Sequence, residues 1–198
     1  MAVVPILEIP HPILRKRATK IRKIDKAILK TAYDMVDTLQ ASGGVGLAAN
    51  QIGNLKRIIV VKTPEIDTTK IYFNPEIIYR EGQRTVEEGC LSIPGYKGFI
   101  TRSVTIRFGA IDHTHKTIKI NADELLAQIL EHEVDHLNGI LFSDHLQKHE
   151  KLIPIDYDEE LQQEEGVRPS LQHQNRMAGS LQGQRWRFIQ DARRQGSF

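Results

Sequence analysis

Apolar residues recur three and four positions apart over 25–41, where Ile28, Leu29, Ala32, Met35, Val36 and Leu39 share one helical face. Ser42-Gly43-Gly44 ends that run, since a glycine past the last periodic residue accepts the left-handed backbone that closes a helix. The pattern then shifts to short runs rich in β-branched and aromatic residues, which predict strands over 57–61, 70–78, 103–111 and 116–120. Pro75 lacks a backbone donor and marks the second of these as an edge or a bend. His113-Thr114-His115 supplies a turn between the last two. Helical spacing returns near Asn121, which can cap a helix together with Glu124, three residues on, and Asn138-Gly139 stops it.

Helices and strands do not alternate regularly, so the pattern predicts an α+β fold: an N-terminal helix, antiparallel or mixed β-sheets and a central buried helix. The pattern fades after about 156, where six acids lie between Asp156 and Glu165 and six arginines against one acid follow from Gly166 to Phe198. Such a segment buries too little apolar surface to pack. The expected organisation is one folded unit over 1–150 and a polar, mobile extension over 151–198, with Trp186, Phe188 and Ile189 as a short docking helix within it.

Composition narrows the function classes. The chain has 198 residues, 40% of them apolar, enough for one core. With 27 basic and 25 acidic residues the formal charge is only +2, so no global field argues for nucleic acid or an anionic membrane. The single cysteine, Cys90, excludes an internal disulfide. The apolar start is broken by Pro5 and Glu8 and lacks a basic leader, and no apolar stretch is long enough to span a bilayer. A protein of the bacterial cytoplasm or an organelle, not secreted, is expected.

The chemistry concentrates in HEVDH at 132–136. His132 and His136 stand one helical turn apart on one face, where both imidazoles can reach one metal ion. At about 100° per residue, Leu125 and Ile129 share the histidine azimuth, and Leu126, Leu130 and Leu137 surround that of Glu133. Glu133 is therefore expected to face inward as a general base and acid, whereas Glu124, Gln128, Glu131 and Asp135 form a polar stripe expected to face solvent. A catalytic metal of this kind takes a third protein ligand. Phe142 stands where the metzincin pattern needs its third histidine. Cys90 in EEGCLS (87–92) can donate a thiolate, and Glu159, Glu160, Glu164 and Glu165 are the carboxylate alternatives.

EEGCLS and HEVDH occur with GVGLAANQ at 44–51, PILEIPHPILRKRA at 5–18 and Asn74-Pro75, and this combination resembles the peptide deformylase family over residues 3–148. The resemblance implies removal of the formyl group from the N-terminal formylmethionine of nascent polypeptides. It implies Cys90, His132 and His136 as ligands of one divalent metal ion, Fe²⁺ with Zn²⁺ or Ni²⁺ able to replace it, and Glu133 as the acid and base. Gln51 and the backbone NH of Leu91 would stabilise the oxyanion. GVGLAANQ reads locally as a glycine turn entering a short helix, and in the family context Val45 and Gly46 line the substrate cleft. Val86, Leu125 and Ile129 join Val45 as candidates for the methionine pocket, with Gln128 a polar departure at its boundary, and Arg102 is a further substrate-binding candidate by resemblance. The expected partners are N-formylmethionyl peptides and, through the arginine-bearing tail, the ribosome, without sequence-specific nucleic-acid recognition. A zinc endopeptidase of the HExxH type is the alternative enzyme.

Overall fold

The computed structural model describes residues 2–62 and 68–155. Helix α1, Lys26–Ser42, starts where the Asp25 carboxylate accepts the Ile28 NH at 2.9 Å and ends on Gly43 at φ 68°. The predicted strands form as β2 (Ile58–Val61), β3 (Lys70–Glu81), β6 (Thr105–Asp112) and β7 (Thr117–Asp123). With β1 (Gly46–Ala48) they build an antiparallel sheet in the order β1-β2-β3-β6-β7. A second antiparallel sheet, β4-β5-β8, comprises Arg84–Cys90, Ile93–Arg102 and Ile153–Pro154. Its strands mix Gly, Pro and charged residues and carry no clear alternation, so the apolar pattern did not announce them. The Ile155 NH also donates to Gly95 O, so the ordered unit runs past position 150.

β2 explains how two helices share one sheet. Ile58 and Val60 pack with α1 through Ala32, Met35 and Leu39, while Ile59 and Val61 turn to the opposite cluster with Leu130, Val134 and Leu137. Side chains alternate across a strand, so one four-residue apolar run is buried on both faces. Leu130, Val134 and Leu137 belong to α2, Glu124–Leu137, the predicted central helix. A third cluster, Leu14, Val86, Ile93, Ile100, Leu141 and Phe142, seats the small sheet. No helix among the described residues is long and apolar enough to cross a membrane.

Four local expectations are corrected. α2 begins at Glu124 behind Asp123, not near Asn121, because residues 121–123 continue the β7 ladder opposite Thr105–Arg107 with Ala122 buried. GVGLAANQ forms β1 and a 3-10 turn, Ala49–Ile52, closed by Gly53 at φ 82°. Of the edge or bend expected at Pro75, the bend is found and only the edge is corrected, since β3 is an inner strand: the β3–β6 register shifts between Phe73 and Glu76, which removes the need for a proline donor. The solvent-facing stripe on α2 is the fourth correction: Gln128, Glu131 and Asp135 are all buried, with Glu131 bonded to Ser103 and Arg80.

The β3 bend also anchors the chain ahead of α1. Asn74 sits at φ 51°, and its amide accepts the Ile21 NH at 2.7 Å and donates to Ile21 O at 2.8 Å. Asn74→Ala removes both bonds and a side chain suited to the left-handed region, so it should lower unfolding free energy by about 2 kcal/mol. Urea denaturation followed by circular dichroism reads this as a lower midpoint with an unchanged slope.

Candidate active site

Alternation along β4 places Val86, Glu88 and Cys90 on one side of the strand, facing α2. The buried face of α2 presents His132, Glu133 and His136 to them. Cys90 Sγ lies 3.1 Å from His136 Nε2, which lies 3.1 Å from His132 Nε2. All three donor atoms fall within 4.8 Å of one another.

The Glu88 carboxylate accepts the His132 Nδ1 proton at 2.5 Å, which turns His132 Nε2 toward His136 and Cys90. His136 Nδ1 is buried without a hydrogen-bond partner among the described residues. The two imidazoles and the thiol thus converge on one point. The donor set fits one Zn²⁺ or Fe²⁺ ion.

Burial favours the neutral acid in Glu88, but His132 and Arg102 outweigh it and hold its pKa at about 2. Arg102 donates from Nε to Glu88 at 3.0 Å, from Nη2 at 2.7 Å and from Nη1 to Asp135 at 2.5 Å. His145 Nε2 donates to the same Asp135 oxygen at 2.8 Å. Arg102 therefore lies behind the cluster with its guanidinium committed to two carboxylates, and it does not line the cavity. That geometry replaces the expected substrate contact with support of His132.

Glu133 shows the opposite behaviour. Burial pushes its carboxyl up to about 7, against the pull of His132, and its Oε2 has no hydrogen-bond partner among the described residues. A carboxyl poised there can take and return a proton near neutral pH. A Cβ on Gly46 would lie 2.9 Å from both Glu133 Cδ and Ile129 Cγ2, so β1 approaches the helix this closely only without a side chain.

The cavity beside the cluster holds about 430 Å³. Val45, Gly46, Gln51, Val86, Leu91, Leu125 and Ile129 line it with Cys90, His132 and Glu133, as does Gln128, whose amide donates to Glu87 O at 2.9 Å. Gln51 accepts the Ala48 NH at 2.8 Å, which turns its Nε2 toward Ser92 Oγ at 3.1 Å and Cys90 Sγ at 3.7 Å. The residue reading missed the roles of Glu88, Asp135 and Asn50, whose amide donates to His136 O at 2.5 Å. Glu88 alone carried a usable signal, being two residues from Cys90 on a strand. The carboxylate alternatives at 159–165 and the tail motif at 186–189 lie outside the described residues.

An inward HExxH helix and a cysteine on a facing strand form a cluster that could hold a metal ion, beside a glutamate unpartnered among the described residues. The model of the polypeptide deformylase family matches residues 3–152, and the chain belongs to that family. A peptide deformylase of Dehalococcoides mccartyi is 44% identical over 164 residues, covering 83% of this chain and 98% of the relative. The crystal structure of a peptide deformylase from Legionella pneumophila superposes with TM-score 0.71 at 38% identity, over 74% of this chain and 88% of that one. A peptide deformylase from Synechococcus elongatus, in complex with actinonin, gives 0.70 at 33% identity, over 74% and 80%. These matches support peptide deformylase activity and lend nothing to the endopeptidase alternative.

Glu88→Gln keeps the shape of the His132 partner but removes the charge that fixes the imidazole proton. Zn²⁺ affinity, measured by competition with a chromophoric chelator, should fall roughly 10–100-fold with little change in the far-ultraviolet spectrum.

Proposed function

We propose that the protein hydrolyses the formamide of N-terminal formylmethionine on nascent polypeptides, releasing formate and a free amine, around one divalent cation held by Cys90, His132 and His136. Fe²⁺ is the working ion on family resemblance, with Zn²⁺ or Ni²⁺ able to occupy the same donors. The observation that carries the reading is Glu133 Oε2, a buried oxygen without a partner among the described residues, on the helix that bears two of the three converging donors.

When bound, the cation polarises the formyl carbonyl and makes water a competent nucleophile at neutral pH. Glu133 takes the proton that the attacking water loses. The same carboxyl then delivers it to the peptide nitrogen as the C–N bond breaks, so one group serves both transfers. Charge gathers on the formyl oxygen, where the Gln51 Nε2 and the Leu91 NH act as fixed donors. Gln51 is preorganised for this by its bond from Ala48 NH. Val45, Val86, Leu125 and Ile129 hold the methionine side chain, and Gly46 lets the formyl end approach Glu133 with water displaced. The polar amide of Gln128 bounds that pocket.

Metal-replete protein prepared without oxygen should release formate from a formyl-Met tripeptide and leave the acetyl-Met analogue intact. A formate-dehydrogenase-coupled assay reads both, and absence of formate at full metal occupancy would remove the proposal. Glu133→Gln should retain the metal while losing at least about 10²-fold in kcat, the usual size of a general acid–base contribution. Dialysis against a chelator should abolish turnover, and added Zn²⁺ or Fe²⁺ should restore it.

A further inference from the structure

The near-neutral total charge conceals a strong local asymmetry. Residues 15–30 hold eight Lys and Arg against one acid, leaving 19 basic against 24 acidic residues elsewhere. The single acid, Asp25, is engaged in capping α1.

Between 16 and 25 the chain runs outside any helix or strand, turning at Lys16 and Arg22, and is bound to the body. The Ala18 NH donates to Leu137 O and the Thr19 NH to Leu55 O, each at 2.8 Å; Thr19 O accepts the Arg57 NH at 3.0 Å, and Asn74 brackets Ile21. Ala18 and Ile21 are buried and Ile24 partly so, one inward residue in every three. The residues between them point outward as a row: Lys16 and Arg17, then Lys20, then Arg22 and Lys23, then Lys26, all exposed. Successive groups are three residues apart, so at most roughly 10 Å separates them along the backbone. None of the six is in an ion pair among the described residues, although the flanking Arg15 and Lys30 pair with Asp144 and Asp34.

We propose that this row binds the phosphodiester backbone of RNA without reading base sequence. A backbone-anchored series of unneutralised cations repeating along the chain suits the repeating phosphates of a flexible single strand, and little scaffold has to be ordered on binding. An anionic membrane is disfavoured because every apolar residue of the segment turns inward, leaving nothing to insert. RNA as the form of polyanion rests on the function proposed above, whose substrate is a peptide still attached to the ribosome. The row crosses the Leu137 end of α2, and none of its residues lines the cavity.

The test is fluorescence anisotropy of a short labelled single-stranded RNA of mixed sequence with the full chain. Affinity should fall roughly 10²-fold between about 50 and 200 mM salt, as five or six phosphate contacts require. The combined variant K16Q/K20Q/R22Q/K23Q should bind at least tenfold more weakly at intermediate salt, with a salt slope lower by about 3 and formate release unchanged. An all-arginine version of the three lysines should retain binding, which separates charge loss from misfolding. K62Q/K116Q/K119Q/K148Q, with the same loss of charge at exposed sites elsewhere, should stay within twofold of the parent. Equal weakening by both glutamine sets, no RNA binding by the parent, or tighter binding to phosphatidylserine vesicles than to RNA would each overturn the proposal. So would loss of binding only when the six arginines of residues 166–198 become glutamine. Because binding is read without turnover, failure of formate release would strike the functional reading and leave a measured RNA site standing.

Discussion

The hydrogen bond from His132 to Glu88 is the interaction on which the rest of the site depends. A buried carboxylate without a partner costs several kcal/mol, so Glu88 can sit beside His132 only because Arg102 neutralises it from β5. Arg102 in turn requires a second acid, and Asp135 supplies it from the helix that carries both histidines. The charges form a closed chain across two sheet strands and one helix. Each link constrains the next, and the net effect is an imidazole whose proton sits away from the donor cluster.

That chain explains why an ionisable helix lies in the interior. α2 carries Glu131, His132, Glu133, Asp135 and His136 within six residues, and all are buried. Four of them have named partners on neighbouring elements or converge on one point. Among these five, Glu133 keeps an oxygen without a partner among the described residues, which is destabilising for the fold and useful for proton transfer. The close approach of β1 at Gly46 packs against the same carboxyl group. Stability elsewhere, from α1 packed on one face of β2 and α2 on the other, offsets the strain concentrated at this position.

The function proposed for the site and the inference about the basic row use different faces of the same helix, which carries the donor cluster inward and offers Leu137 O to the basic segment. Leu125 and Ile129 open on the cavity, while Leu137 O binds the segment that displays the cations. On the two proposals together, one short helix serves both the cavity and the charged outer segment. The arrangement separates recognition of the substrate's first residue from recognition of whatever carries the substrate.

Periodicity alone made α1, β2, β3, β6 and β7 legible, because each has a buried face that repeats at the helical or strand period. Chelating spacing made His132 and His136 legible, and the leucines around Glu133 placed it inward. The sequence determined these features because local geometry decides them. It could not determine that Gln128, Glu131 and Asp135 are buried, since polar residues on a helix face point to water unless a partner from another element neutralises them. Those partners, Arg80, Arg102 and Ser103, lie far away in the chain, and only the tertiary structure brings them in. The small sheet was equally hidden, because its strands are held by register and by the cluster around Phe142 and not by alternation. Arg102 changed meaning for the same reason: its charge was visible from the start, but its role depends on which carboxylates the fold sets against it.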